Sequence, residues 1–218
     1  MIKLSKSKLK EFKLIFFDFD GVIKESNQIK TEAFRKLFSK YGNKVATKVV
    51  EHHKKNTGIS RFEKIPFYYE RYLNIKVDDD QLMTINKELS KIVTSEVINS
   101  AWVKYSNEFL IKNAFNQEFF LITGTPQEEI NEICKSLKIK HCFRSIHGSP
   151  IKKDKIVSEI LLNRDEIREL SIFIGDSEVD YLAAAKNKIS FVYRLGDNII
   201  DDIKKKAEFY INDFRELV

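Results

Sequence analysis

The chain has 218 residues, is 43% hydrophobic and 32% charged, and carries a formal net charge of +6. That supplies apolar material for one core, or for one core plus a small second lobe. The lysines are spread along the chain with no recognisable binding motif among them, so they read as a solvated surface and no nucleic-acid partner is expected. No window approaches the roughly twenty apolar residues of a membrane span, and the opening MIKLSKSKLKEFK lacks the apolar centre of a signal peptide. Cys134 and Cys142 have no CxxC spacing and read as reduced cysteines. A soluble, cytoplasmic protein with no membrane partner is expected.

The first apolar run, residues 14–17, ends in Asp18 and Asp20, with Phe19 between them and Gly21 following. Comparable runs lie at 119–122, 143–146, 172–174 and 189–193. Each is continuous rather than alternating, as expected of strands covered on both faces. From residue 119 onward the runs alternate with helical patterns at 127–137, 154–162 and 179–187. This order predicts an α/β fold with a Rossmann-like, doubly wound parallel sheet.

A long insertion separates the first run from the second. Residues 27–41 place Ile29, Ala33, Phe34, Leu37 and Phe38 at helical spacing. Residues 44–55, 61–73 and 78–98 also read as helices, and Asp78-Asp79-Asp80 suits a helix N-terminus. The expected organisation is a small α-helical cap over residues 25–105, hinged over the end of the first strand. The catalytic core is then discontinuous, residues 1–24 and 106–218.

Ligands of an open parallel sheet bind outside the carboxyl ends of its strands. Asp18 and Asp20 end the first strand, Thr123-Gly124-Thr125 the second, and Gly175-Asp176-Ser177 the fourth, with Asp180 one turn on. Gly148-Ser149-Pro150-Ile151-Lys152-Lys153 follows the third. Asp18, Asp20, Asp176 and Asp180 repel one another if all ionise side by side. A divalent cation removes the conflict, and oxygen ligands without clustered His or Cys suit Mg²⁺. With Mg²⁺ and one lysine the site approaches neutrality and accepts a phosphate dianion. Thr123 offers a hydroxyl donor, and Gly124 permits close backbone approach. The residues describe phosphoryl transfer on a small phosphate ester.

DFDGVI, ITGT, GSPIKK and IGDSEVD resemble, in order and spacing, the four motifs of the haloacid dehalogenase superfamily. With its helical insertion after the first motif, the chain looks like the branch containing phosphoglycolate phosphatase-like enzymes and β-phosphoglucomutase. The resemblance implies that Asp18 is a nucleophile forming an aspartyl-phosphate, and that Asp20 is the general acid and then the base. It implies Mg²⁺ held by Asp18, the backbone carbonyl of Asp20 and Asp176, with Asp180 supporting the metal site. Thr123 and the amide of Gly124 would grip the phosphoryl group. Lys153 is the favoured lysine of the third motif, with Lys152 and Lys155 as alternatives. True dehalogenases lack the second aspartate and need no Mg²⁺, so Asp20 and Asp176 argue against dehalogenation.

Within the insertion, Thr57-Gly58-Ile59-Ser60-Arg61 resembles the G-x-S-R turn of β-phosphoglucomutase, which implies that Arg61 grips an anionic group of the substrate. The same residues read as a helix start, with Ser60 as N-cap and Glu63 completing a capping box. Ser26 and Glu25 are placed at the substrate mouth by the same resemblance. The implied function is a Mg²⁺-dependent phosphatase for a small phosphorylated metabolite. A sugar phosphomutase is the alternative, and a non-catalytic binding module on the same fold is a reading of another class. His52 and His53 are expected at the surface. Phe67, Tyr68, Tyr69 and Tyr72 are expected in the core of the cap, Trp102 packed at the return hinge, and the lysines at 204–206 on a solvated helix face.

Overall fold

The computed structural model of the chain describes residues 1–196 and 199–218. Seven parallel strands form one sheet. In chain order they are β1 (Ile2–Lys3), β2 (Leu14–Phe17), β3 (Glu118–Pro126), β4 (Ser145–Ser149), β5 (Ser171–Gly175), β6 (Ser190–Arg194) and β7 (Phe209–Ile211). Across the sheet the order is β1-β7-β6-β5-β2-β3-β4. The chain moves from β2 through β3 to β4, then returns to β5 on the other side of β2. This topological switch leaves the carboxyl end of β2 between two neighbours, where such sheets bind ligands.

The buried strand pattern follows from period two. Ile15 and Phe17 face one core with Phe119, Leu121, Ile172 and Ile174. Leu14 and Phe16 face the other with Phe120, Ile122 and Phe173. Successive side chains of a strand point to opposite faces, so an uninterrupted apolar run feeds two cores. Phe16 stacks on its register partners Phe120 and Phe173, with centroids 5.3 and 6.2 Å away. Phe17 meets Phe109, Phe119 and Phe143 edge-on at 6.2, 5.1 and 6.3 Å. Such aromatic packing anchors the strand that carries the first two aspartates.

Helices flank the sheet: α1 (Lys6–Leu9), α6 (Ser106–Lys112), α7 (Gln127–Ser136), α8 (Lys153–Ile160), α9 (Asp165–Arg168), α10 (Glu178–Lys186) and α11 (Asp201–Lys206). The insertion between β2 and β3 contributes α2 (Asn27–Ser39), α3 (Asn43–Lys55), α4 (Arg61–Leu73) and α5 (Asp79–Asn99). Asp78 caps α5 in a complete capping box with Gln81. At α4, Ser60 caps the backbone N–H of Phe62 at 3.2 Å, but Glu63 does not complete the expected box. Ala33, Phe34, Phe38, Tyr68 and Leu89 of the insertion belong to the same apolar cluster as Ile15 and Phe17.

The two crossings between insertion and sheet lie against each other. Glu25 N–H donates to the Ala101 carbonyl at 2.9 Å, and Val103 N–H to the Ile23 carbonyl at 3.0 Å. Lys24 is 1% exposed, donates to the Ile98 carbonyl at 3.0 Å, and lies 4.5 Å from the Trp102 ring centroid. Trp102 thus packs at the return crossing as its position suggested. No helix among the described residues is long and apolar enough to cross a membrane.

Several expectations shift. The third strand starts at Ser145 rather than at residue 143, because a 3-10 turn over Lys140–Cys142 uses the preceding chain. Phe143 is apolar for a different reason: its ring packs on Phe17. β1 and β7 escape the sequence because two or three residues carry too little periodicity. His53 is buried, not at the surface, with its ring 4.7 Å from that of Phe34. Tyr68 and Tyr69 are buried, whereas Phe67 is 41% exposed.

Phe17→Ala leaves a void among the rings of Phe109, Phe119, Phe143 and Phe214 and is expected to cost about 3–5 kcal/mol of stability. A urea titration reads this as a lowered midpoint with the slope unchanged.

Candidate active site

The carboxyl edge of the sheet gathers side chains from five segments. β2 runs directly into Asp18, which extends the ladder by donating its N–H to the Ile174 carbonyl at 3.0 Å. Asp18 is 3% exposed and Asp20 8%. Gly21 then takes φ +77°, and a Cβ there would fall 2.1 Å from Asp176 Oδ2. Only glycine combines that backbone turn with that closeness to a carboxylate.

Lys153, the first residue of α8, is buried between two acids. Its Nζ lies 2.7 Å from Asp18 Oδ1 and 2.6 Å from Asp180 Oδ1. Lys152 and Lys155 are exposed, so the geometry separates the three lysines. Asp180 is held by its own helix start: Ser177 N–H and Oγ donate to its Oδ2 at 3.1 and 2.6 Å. Ser177 and Asp180 form a capping box, which satisfies orphan amides and fixes the carboxylate together. Asp180 therefore spends both oxygens on protein donors.

Burial pushes the Asp18 carboxyl up to about 7, against the pull of Lys153 and with the push of Asp180 and Asp20. Burial also raises Asp176 well above the carboxylate range, with Asp18 and Asp180 adding to the effect and Asn27 opposing it. The Asn27 amide donates to Asp176 Oδ2 at 2.6 Å. The contact of Lys153 with Asp18 is a close ion pair without the direction of a hydrogen bond, and Asp18 Oδ1 has no hydrogen-bond donor. Oxygens of Asp18, Asp176 and Asp180 lie within 4.8 Å of one another. Crowded, raised carboxylates and an orphaned carboxylate oxygen fit a hard divalent cation, which would relieve the repulsion.

Asp20 sits in the opposite environment. Burial pushes its carboxyl up, but the Lys30 ammonium and hydrogen bonds from Lys30, Ser26 and Thr125 outweigh that and hold it below its usual value. Ser26 Oγ donates to Oδ1 at 2.6 Å; Thr125 Oγ1 donates to Oδ2 at 3.0 Å, and Lys30 Nζ to the same oxygen. Ser26 precedes α2 yet gives it no side-chain cap, because its hydroxyl is committed to Asp20. Thr123 is 1% exposed, and its Oγ1 accepts from the Thr125 N–H at 3.2 Å.

The insertion closes over these residues. Gly58 takes φ +80°, and a Cβ on it would meet Ser177 Oγ at 2.4 Å. A Cβ on Gly124 would meet the Gly58 carbonyl at 2.8 Å. The space left is a cavity of about 60 Å³ whose walls include Asp18, Asp20, Asp176, Gly124, Lys30 and Arg61. Arg61 is 7% exposed, and one of its terminal nitrogens donates to Ser90 Oγ and to Glu129 Oε2, both at 2.6 Å. Arg61 Nε and Glu129 Oε1 lack hydrogen-bond partners. Arg61 thus joins the insertion to α7 as well as lining the cavity.

Lys30, Thr125, Glu129 and Asn27 were not among the candidates read from the sequence. Asn27, Lys30 and Phe34 stand at i, i+3 and i+7 of α2, so two polar residues interrupt the inward stripe; that is the signal that marks them. Glu25 does not line this cavity; it pairs with Arg194, a partner 169 residues away with no local signal.

A family model described as haloacid dehalogenase-like hydrolase matches residues 15–193. The chain belongs to that family. Among characterised relatives, a phosphorylated carbohydrates phosphatase of Thermotoga maritima is 25% identical over 193 residues, covering 86% of this chain and 87% of that one. Among solved structures, a β-phosphoglucomutase of Clostridium difficile superposes with a TM-score of 0.72 at 23% identity, over 95% of this chain and 93% of that one. A haloacid dehalogenase-like hydrolase structure from Bacteroides fragilis gives a TM-score of 0.73 at 21% identity, over 95% and 100% of the two chains. The structural likenesses establish the α/β fold, and the family match makes the chain an enzyme of the hydrolase class.

The raised Asp18 carboxyl has a definite sign. An acid ionising near 3.8 in the unfolded chain and near 7 in the folded one costs stability as pH rises across that interval. In EDTA, Asp18→Asn removes this cost, so its thermal midpoint relative to wild type is expected to climb between pH 4 and pH 7. Parallel melting curves for the two proteins would show no such divergence if Asp18 titrated normally.

Proposed function

We propose that this haloacid dehalogenase-like hydrolase is a Mg²⁺-dependent phosphatase that hydrolyses a small phosphorylated metabolite through an aspartyl-phosphate. The observation that carries the reading is the division of labour between Asp18 and Asp20. One carboxylate lies beside a buried lysine and the acidic cluster; the other is held ionised by a separate set of donors. Pairs of acids driven to different states by their surroundings are the mark of assigned acid, base and nucleophile roles.

In the first half-reaction an Asp18 oxygen bonds to phosphorus, and the bond from phosphorus to the leaving oxygen breaks. Asp20 delivers the proton which that oxygen takes up. Asp20 rests ionised, so the proton it delivers comes in with the substrate as its phosphate monoanion, or from solvent, and is drawn onto Asp20 as negative charge enters beside it. In the second half-reaction Asp20 takes a proton from water, whose oxygen bonds to phosphorus as the bond to Asp18 breaks. The ionised resting form is the one this step needs. Asp18, Asp176 and the backbone carbonyl of Asp20 would hold Mg²⁺, which would supply neutralising charge for the transferring phosphoryl group. Lys153 adds fixed positive charge beside Asp18, and Asp180 holds Lys153 in place. The Gly124 amide and the Thr125 hydroxyl would meet the phosphoryl group, with Thr123 Oγ1 behind them accepting from the Thr125 N–H.

The insertion, residues 25–105, serves as the cap. Docked through Gly58, it separates the aspartates from bulk water, as phosphoryl transfer to a protein carboxylate requires. The pairing of Arg61 with Glu129 favours hydrolysis over the phosphomutase reading, because a mutase of the resembling type needs that arginine for a second phosphate.

Phosphate release from an aryl phosphate is expected to need Mg²⁺ and to stop in EDTA. Asp18→Asn and Asp20→Asn should each lower kcat by about 10³-fold or more. Activity surviving in Asp18→Asn would overturn the nucleophile. Incubation with a hexose 1-phosphate is expected to release phosphate; conversion to the 6-phosphate without release would favour the mutase.

A further inference from the structure

The roof of the cavity holds a cation that no feature of the hydrolytic scheme employs. Lys64, on the inward face of α4, lines the cavity and is 4% exposed. Every other cation of the site has a carboxylate: Lys30 has Asp20, Arg61 has Glu129, and Lys153 has Asp18 and Asp180. Among the described residues Lys64 has none. Its Nζ contacts His53 Nδ1 at 3.1 Å and the Asn56 carbonyl at 3.3 Å, and lies 5.4 Å from the Phe34 ring centroid. An ammonium has three N–H groups, so one is left over.

A buried ammonium without a paired counter-ion is unfavourable, and burial pushes that of Lys64 down to about 7, with Lys30 adding to the effect and the more distant Asp20 and Glu63 opposing it. Burial also holds His53 well below the usual histidine range, which keeps its ring neutral and able to accept from Lys64. The surroundings therefore aim and support this charge without neutralising it. An anion entering the cavity would supply what the fold withholds. The floor of the cavity already has its use, since Asp18, Asp20 and Asp176 face the phosphoryl end. The roof faces the leaving portion of the ester.

We propose that Lys64, supported by His53, forms a subsite for a second anionic group, so that the substrate is a phosphate ester whose leaving portion bears a carboxylate or another phosphate. The proposal rests on the phosphatase reading and specifies its substrate class. It assigns the second-anion role to Lys64 rather than to Arg61, whose charge Glu129 already meets. Leu89 and Val93 line the same cavity and offer an apolar contact to the carbon body between the two anions.

The test compares phosphoglycerate and glycerol bisphosphate with glycerol phosphate, whose leaving portion is uncharged. For wild type with Mg²⁺, kcat/KM is expected to favour the anionic-tailed esters by about tenfold or more. Which of the two is preferred tells a carboxylate site from a phosphate site. Lys64→Met should bring the ratio near unity, mainly through KM for the anionic-tailed esters, and Lys64→Arg should restore part of it. Calorimetry with the Asp18→Asn protein reads binding without turnover: tighter binding of the anionic-tailed esters should be lost in Asp18→Asn/Lys64→Met. His53→Gln, expected to weaken the preference less, guards against a variant that fails to fold. Equal turnover of all three esters by wild type would overturn the subsite and leave the phosphatase intact. Absence of turnover overturns the phosphatase reading instead, and the calorimetric preference then decides the subsite. An unchanged preference in Lys64→Met overturns it in either assay.

Discussion

Lys153 between Asp18 and Asp180 is the contact on which the site depends. It ties the end of β2 to the starts of α8 and α10, three segments that the sequence separates widely. The ion pairs are almost fully buried, so removing one partner would strand a charge without water to meet it. Asp180 cannot drift, because the capping box at Ser177 locks its other oxygen to the helix start. A helix cap thereby becomes part of the candidate site: the Ser177 N–H and hydroxyl hold Asp180, Asp180 holds Lys153, and Lys153 stands beside Asp18.

The charges beyond that contact are sorted by wall. Carboxylates from strand ends form the floor, where a cation and a phosphoryl group would offset their repulsion. Lysines and Arg61 from the insertion form the roof. A narrow cavity with carboxylates on one wall and cations on the other strengthens any interaction that bridges it, because the buried surroundings screen the field less than bulk water does. The closeness of Gly58 to Gly124 and Ser177 is what keeps the space small. A side chain at either glycine would wedge the two parts of the molecule apart.

Much of this was legible without coordinates. Five of the seven strands appear as apolar runs, and the helices of the insertion follow from spacing and from capping residues such as Ser60 and Asp78. The short edge strands do not, since two or three residues show no period. The aspartates at strand ends are equally plain, because charge at the end of a buried run demands an explanation. The inward polar residues of the insertion are less so. His53 and Lys64 look like surface groups in a lysine-rich chain, and only their neighbours in space reveal that they are buried.

The sequence alone therefore determined the parallel α/β core, the place of the helical insertion, and the acidic residues at the sheet edge. These rest on local periodicity and on strand ends, which neighbouring residues encode. The tertiary structure decided which of Lys152, Lys153 and Lys155 enters the site. It also paired Lys30 with Asp20 and Arg61 with Glu129, and left Lys64 with no carboxylate among the described residues. Pairing depends on distances between segments far apart in the chain, and a charged side chain carries the same letter whether water, a carboxylate or a ligand is to meet its charge.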